Sequence, residues 1–375
     1  MIYASPCRFV PAAGRVGLAL FACSLMLTMP GCGRGTPASP PVALPDISRL
    51  CSRIDTAIAH AREARRLDAS VHGAWQVVHG ILAFGPDLPL VHDNAESSAL
   101  DYLLGGGRLT GWILRPGHPG VIAVVEPGST LGQGHPDQWL GYLSQCGVRT
   151  DGSGPAGLPL DTPLVVAGRD FTLADLLLRA KRDIRPGQEA TWTLMALSAY
   201  EPDARWTASD GTPWTVERVV AMEADADIFT AACGGAHRLY GLAAALDARR
   251  RAGSDRAPSD TATPGSGWAA AREVLDECLD RARRFQQPDG SFSTHFFERP
   301  GTSPDVFARL GATGHAFEVV ALALPDERLT EPWVVRAADR LTTLLEQTAD
   351  LDVECGALYH AAHGLALYRQ RICPR

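Results

Sequence analysis

A helix that is apolar on every side has to be surrounded by other protein, and this chain repeats such a helix six times, each behind a polar, charge-rich partner. Residues 286–324 set the pattern. A turn at Pro288-Asp289-Gly290 leads to an apolar helix read as starting behind Thr313-Gly314. The same helix start recurs at Cys233-Gly234-Gly235-Ala236 and at Cys355-Gly356-Ala357. Ala-, Leu- and Val-rich runs follow each, with a His or Glu set into them. A closed ring of helical hairpins buries every apolar member at its centre. The sequence therefore predicts an all-α fold, an (α/α)6 toroid. Its inner helices fall near 72–84, 136–145, 189–200, 235–250, 314–324 and 356–372. Residues 92–104 read as a further helix, on the outer side. A Pro-Gly turn between two β-rich runs makes 109–125 a β-hairpin set outside the ring. Residues 251–267 are too polar and too rich in Pro, Gly and Ser to build a core, and read as a flexible loop.

With 375 residues, 46% of them hydrophobic, the chain can bury one large core, and residues 46–375 are assigned to the toroid as a single domain. The formal charge of -7, with no basic stripe, speaks against nucleic acid as a partner. Ahead of the toroid, Arg8 and Arg15 precede an apolar run over 16–29 that closes on Gly31-Cys32. That layout is a secretory signal over 1–31. It resembles a bacterial lipoprotein signal, which implies lipidation at Cys32, a tether over 32–45, and an exported, membrane-anchored protein on the periplasmic or cell-surface side. In an oxidising compartment the cysteines invite pairing. Cys51 begins the first outer helix and Cys373 ends the last inner one, so a bond between them would clasp the ring.

Gln286-Gln-Pro-Asp-Gly290-Ser-Phe292 resembles the Gln-x-x-x-Gly-x-Trp repeat of the terpenoid cyclase and prenyltransferase toroids, with Phe292 in the Trp place. The resemblance implies that the Gln and the aromatic tie neighbouring helices together, and that the toroid extends over most of residues 46–375. The chain also resembles an uncharacterised family of exported bacterial proteins. The Asp-x-Asp-Asp acid of squalene-type cyclases has no counterpart. Asp352-Val353-Glu354-Cys355 with His360 or His363 echoes only loosely the zinc ligands of protein prenyltransferases. Glu223-Ala-Asp225-Ala-Asp227 lies on an outer helix and reads as a solvated acidic face.

Polar residues inside an apolar helix have to be satisfied. His72, Trp75 and His79 form one helical stripe; His237 and Tyr240, His315 and Glu318, and His360 and His363 are each three apart. His72, His79, His237, Tyr240, His315, Glu318, His360 and His363 are the candidate catalytic residues, expected to converge on one cavity. Trp75, His135, Asp137, Glu189 and His295 are candidate substrate contacts. Cys233 and Cys355 support two readings: a disulfide, which the compartment favours, or a zinc set completed by His237 and His315. No other cofactor is indicated. Neutral histidines at the N-terminal ends of helices suit acid/base chemistry on an anionic group. The reading that follows is a cell-envelope enzyme acting by His, Glu and Tyr acid/base chemistry on an anionic glycan or lipid, its partner being a small-molecule, glycan or lipid substrate. Its rivals are a terpenoid cyclase- or prenyltransferase-like enzyme and a non-catalytic binding or scaffold lipoprotein.

Overall fold

The computed structural model describes residues 44–64, 66–129, 134–146, 157–253, 265–353 and 355–373. The expected signal, Cys32, the tether up to residue 43, and residues 254–264 of the expected loop lie outside them.

Among the described residues, six outer and six inner helices alternate along the chain. They are α1 (Ile47–Ala64), α2 (Ala74–Phe84), α3 (Ala99–Leu104), α4 (Gln138–Leu143), α5 (Leu173–Asp183), α6 (Thr191–Tyr200), α7 (Val216–Asp225), α8 (Ala236–Ala252), α9 (Gly267–Arg284) and α10 (Val306–Ala323); after the one-turn α11 (Asp326–Leu329) come α12 (Pro332–Gln347) and α13 (Cys355–Ile372). The outer members are amphipathic. In α1 the buried residues Leu50, Ile54, Ala57 and Ala61 recur at three- and four-residue spacing, so one stripe faces the core. The inner members have no such stripe: α6 buries every residue from Thr191 to Ser198. α10 is long and apolar enough to cross a membrane by length and composition, but most of it is buried within the ring.

The inner helices close on themselves. α2 packs on α4, α4 on α6, α6 on α8, α8 on α10, α10 on α13, and α13 back on α2. The seam between last and first hairpins is held by α1 against α12 and α13, and by a disulfide between Cys51 and Cys373 across 322 residues of sequence. This is the expected (α/α) toroid.

At the glutamine motif, Gln286 Nε2 donates to the carbonyls of Gly290 (3.0 Å) and Trp333 (2.8 Å), while its Oε1 accepts from Arg336. The side chain thus ties the turn after α9 to the first turns of α12. Phe292 is buried, its ring 6.1 Å from that of Trp333.

Two expectations are corrected. α10 begins at Val306, where Asp305 caps the Phe307 N–H, so Thr313-Gly314 lies well inside the helix. Gly314 is there for close packing: a Cβ on it would sit 2.8 Å from the Ala361 nitrogen of α13. Residues 92–104 are not one helix, because the tight turn at Asp93 and Asn94, both left-handed, folds Pro89–His92 against Ala95–Ser98 before α3 begins. The expected hairpin is present as Trp112–Pro116 paired with Val121–Val125, and three further small sheets accompany it among the described residues, all placed before α7.

Candidate metal and acid/base centre

All six inner helices run in the same sense, so their N-terminal ends share one mouth of the ring and their C-terminal ends the other. At the N-terminal mouth a cavity of about 380 Å³ is lined by Trp75, Cys233, His237, Phe296, His315 and His360, among others. Cys233 reaches it through an unusual backbone. Cys233, Gly234 and Gly235 are all left-handed (φ 51°, 59° and 80°) immediately before α8. Glycine takes such angles freely; a cysteine does so at a cost. Phe296, also left-handed at φ 51°, packs on the other side, where a Cβ at Gly234 would strike its ring.

His237 follows one helical turn after Cys233. Both of its ring nitrogens are buried, and among the described residues neither has a hydrogen-bond partner. Two orphaned nitrogens on one buried imidazole are costly unless a ligand takes one. Ligand atoms of Cys233, His237 and His315 lie within 4.8 Å of one another, so the three together could hold a metal ion. His315 donates Nδ1–H to the Gly311 carbonyl (2.8 Å), which leaves Nε2 for the cluster. Burial, and after it the neighbouring His315 and His360, hold the His237 pKa well below the usual histidine value. Burial would lower His315 too, but the Cys233 sulfur beside it brings it up to about 9.

Next to the triad lies a carboxylate with two histidines. Glu318 accepts Nδ1–H from His360 on one oxygen (2.7 Å) and from His363 on the other (2.6 Å), with all three side chains buried. The close approach of α10 and α13 makes this reach possible: a Cβ on Gly364 would sit 3.2 Å from Glu318. Burial would raise the carboxyl, but the two histidines, His360 foremost, bring it down to about 2. Each imidazole is fixed as the Nδ1–H tautomer, with Nε2 turned away from Glu318. The His360 ring lies 3.9 Å from that of His315, tilted by 35°, and His360 lines the cavity at the N-terminal mouth. His363 lines a separate cavity at the other mouth, together with Tyr240. The eight catalytic candidates therefore do not meet in one space.

The remaining candidates fall as follows. His79 is saturated, donating Nδ1–H to the Trp75 carbonyl and accepting the Tyr142 hydroxyl at Nε2, both at 2.6 Å. His72 accepts the Asp68 N–H (2.9 Å) in the loop before α2 and lines neither cavity. His135 pairs with Glu189 (2.7 Å), its ring 6.0 Å from that of His237. Asp137 accepts the Thr193 hydroxyl and ties α4 to α6; burial raises its pKa to about 6. His295 packs against Gly301 and lines neither cavity. Trp75 borders the triad's cavity with a buried indole N–H that has no acceptor among the described residues.

Two readings of the sequence are overturned. Cys233 and Cys355 are not bridged, and Cys355 stands outside the metal-competent triad, near the Gln76 amide (3.6 Å). Glu223 is not solvated: it is wholly buried, accepting from the Ala190 N–H and the Thr191 hydroxyl and pairing with Arg238 (2.9 Å), so it caps the start of α6. Tyr142, Trp192 and Phe296 were passed over in the sequence reading: Phe296 lines the cavity, and behind it the Trp192 ring lies 5.2 Å from His237 and 4.6 Å from Tyr142. Their signal was present in their place on or before inner helices, but an aromatic there reads as ordinary core.

No family model, no curated protein and no solved structure matches this chain.

Proposed function

We propose that the protein is a zinc-dependent enzyme of the cell envelope that acts on a small anionic substrate, a glycan or lipid fragment bearing a carboxylate or phosphate. The observation that carries the reading is His237, with two buried, unpartnered ring nitrogens facing Cys233 and His315. A thiolate and two imidazoles make a borderline-soft donor set that suits zinc. The Gly311 carbonyl on His315 Nδ1 is the kind of outer contact that orients a metal-binding histidine. When bound, zinc supplies a Lewis acid and a low-pKa water at an open ligand position.

The chain's own groups do the rest. The helix N-termini gathered at this mouth give it a positive field, which favours an anionic group. His360, held as the Nδ1–H tautomer by Glu318, offers Nε2 as a proton acceptor beside the triad. The Trp75 indole N–H has no protein acceptor and is available to a substrate oxygen. A cavity of about 380 Å³ holds a small ligand, in the range usual for such sites. Placement in the envelope, with an anchor at Cys32, rests on the N-terminal sequence. Kinship with the terpenoid cyclase and prenyltransferase toroids is read here as a likeness of architecture, supported by the Gln286 tie, and none of their chemistry is carried over.

Zinc titrated into metal-free protein should bind one equivalent tightly. His237→Ala and Cys233→Ser should each weaken it by about 10-fold or more. Cobalt in place of zinc should give a thiolate charge-transfer band that Cys233→Ser abolishes. Wild-type protein that binds neither metal sinks the proposal.

A further inference from the structure

A second cavity, of about 740 Å³, opens at the opposite mouth, where the inner helices end. Its walls are predominantly apolar, with Leu82, Phe84, Met195, Leu322 and Leu367 among the lining residues, and its charged residues, such as Asp55, Arg62 and Arg369, belong to the rim. Set among them are two polar side chains more than nine-tenths buried, Tyr240 and His363. Their rings lie 6.1 Å apart. Glu318 takes the Nδ1–H of His363, which leaves its Nε2 as an acceptor, and among the described residues neither that nitrogen nor the Tyr240 hydroxyl has a hydrogen-bond partner. One donor and one acceptor therefore sit in a largely apolar chamber with no bonding partner among the described residues.

We propose that this chamber is a binding site for a neutral amphiphile, an apolar chain or ring system ending in a hydroxyl group. A hydroxyl satisfies both polar groups at once: its oxygen accepts from Tyr240 while its proton goes to His363 Nε2. A carboxylate would find one donor, one opposing lone pair, and the carbonyl ends of the surrounding helices, whose dipoles repel negative charge. Among the described residues the arginines of the rim are already paired, Arg369 with Asp55 (2.8 Å), Arg62 with Asp87 (3.3 Å) and Arg251 with Asp247 (3.0 Å), which weakens their pull on an anion. The chamber's field is thus opposite to that of the cavity holding the triad, and the two mouths select different chemistry. Nothing in this assignment depends on zinc.

Calorimetric titration of the full chain with 1-decanol, decanoate and decylammonium tests it. Decanol should bind saturably at one site and more tightly than either charged analogue. Tyr240→Phe, which removes one oxygen and keeps the ring, should weaken decanol by about 5- to 10-fold. Ala366→Phe, which projects a ring into the chamber, should abolish binding. Affinity should be equal with and without added zinc. The assignment is overturned by any of four results: no decanol binding, decanoate or decylammonium bound more tightly, binding indifferent to Tyr240→Phe, or a requirement for zinc.

Discussion

Glu318 carries the sharpest residue-level consequence. Its folded pKa of about 2 lies below the usual 4.5, so the carboxylate stabilises the fold fully above pH 4.5 and that contribution is lost as pH falls toward 2. The difference amounts to about 3 kcal/mol. Glu318→Gln should lower stability at pH 7 by about that much and flatten the acid limb of a urea-denaturation series between pH 4.5 and 2. An unchanged acid limb would mean that His360 and His363 do not depend on this carboxylate. Asp137 has the opposite sign. Its pKa of about 6 is above the usual 3.8, so the stability tied to its proton is complete below pH 3.8 and is lost as pH rises through 6. Asn keeps an acceptor for Thr193 and tolerates the left-handed backbone at φ 57°. Asp137→Asn should therefore raise the melting temperature at pH 8 and leave it unchanged at pH 3.5; a loss at pH 8 would assign the charge a role that stability does not explain.

Among the elements, the clearest tie is Gln286, whose amide joins the turn before α10 to α12. Gln286→Ala leaves the Trp333 and Gly290 carbonyls to find other donors and should cost about 1–3 kcal/mol in equilibrium unfolding. Gly290→Ala should cost more, since it combines a φ of 92° with a Cβ placed 2.6 Å from the Arg336 carbonyl. The alternation of polar and apolar helices was legible from composition alone, because burial on all sides removes the polar face that a sequence would otherwise show. Helix starts were less so. Glycine opens α8 through a left-handed cap, but in α10 the same residue admits a neighbouring helix, and one letter cannot distinguish the two uses. The histidines of the inner helices were visible as interruptions. What was not visible is their orientation: His360 and His363 share one carboxylate yet face different cavities, and a three-residue offset in sequence does not say which side of the ring each nitrogen meets. Glu223 was misread because its neighbours in sequence are acidic, whereas its neighbours in space are a helix start and Arg238.

At the scale of the molecule, the Cys51–Cys373 bond joins the two ends of the ring. Cys373→Ser should reduce stability by about 2–4 kcal/mol, read as a shift in the denaturant midpoint, with zinc affinity preserved because the triad lies on other helices. If the variant melts like wild type, α1 and α13 hold the seam through packing alone. A ring also has no first member. Each hairpin meets a neighbour on either side, and the place where synthesis begins is an accident of the gene rather than of the architecture. With the Cα atoms of Cys51 and Cys373 only 5.8 Å apart, the chain could be read from another starting point. Its old ends would be spliced and a new opening made at the exposed turn around Gly211, where nothing crowds the backbone. The disulfide would then span a short loop instead of nearly the whole protein. Any stability that it owes to restraining a long unfolded chain would shrink with that loop, while its geometry in the native state stayed the same.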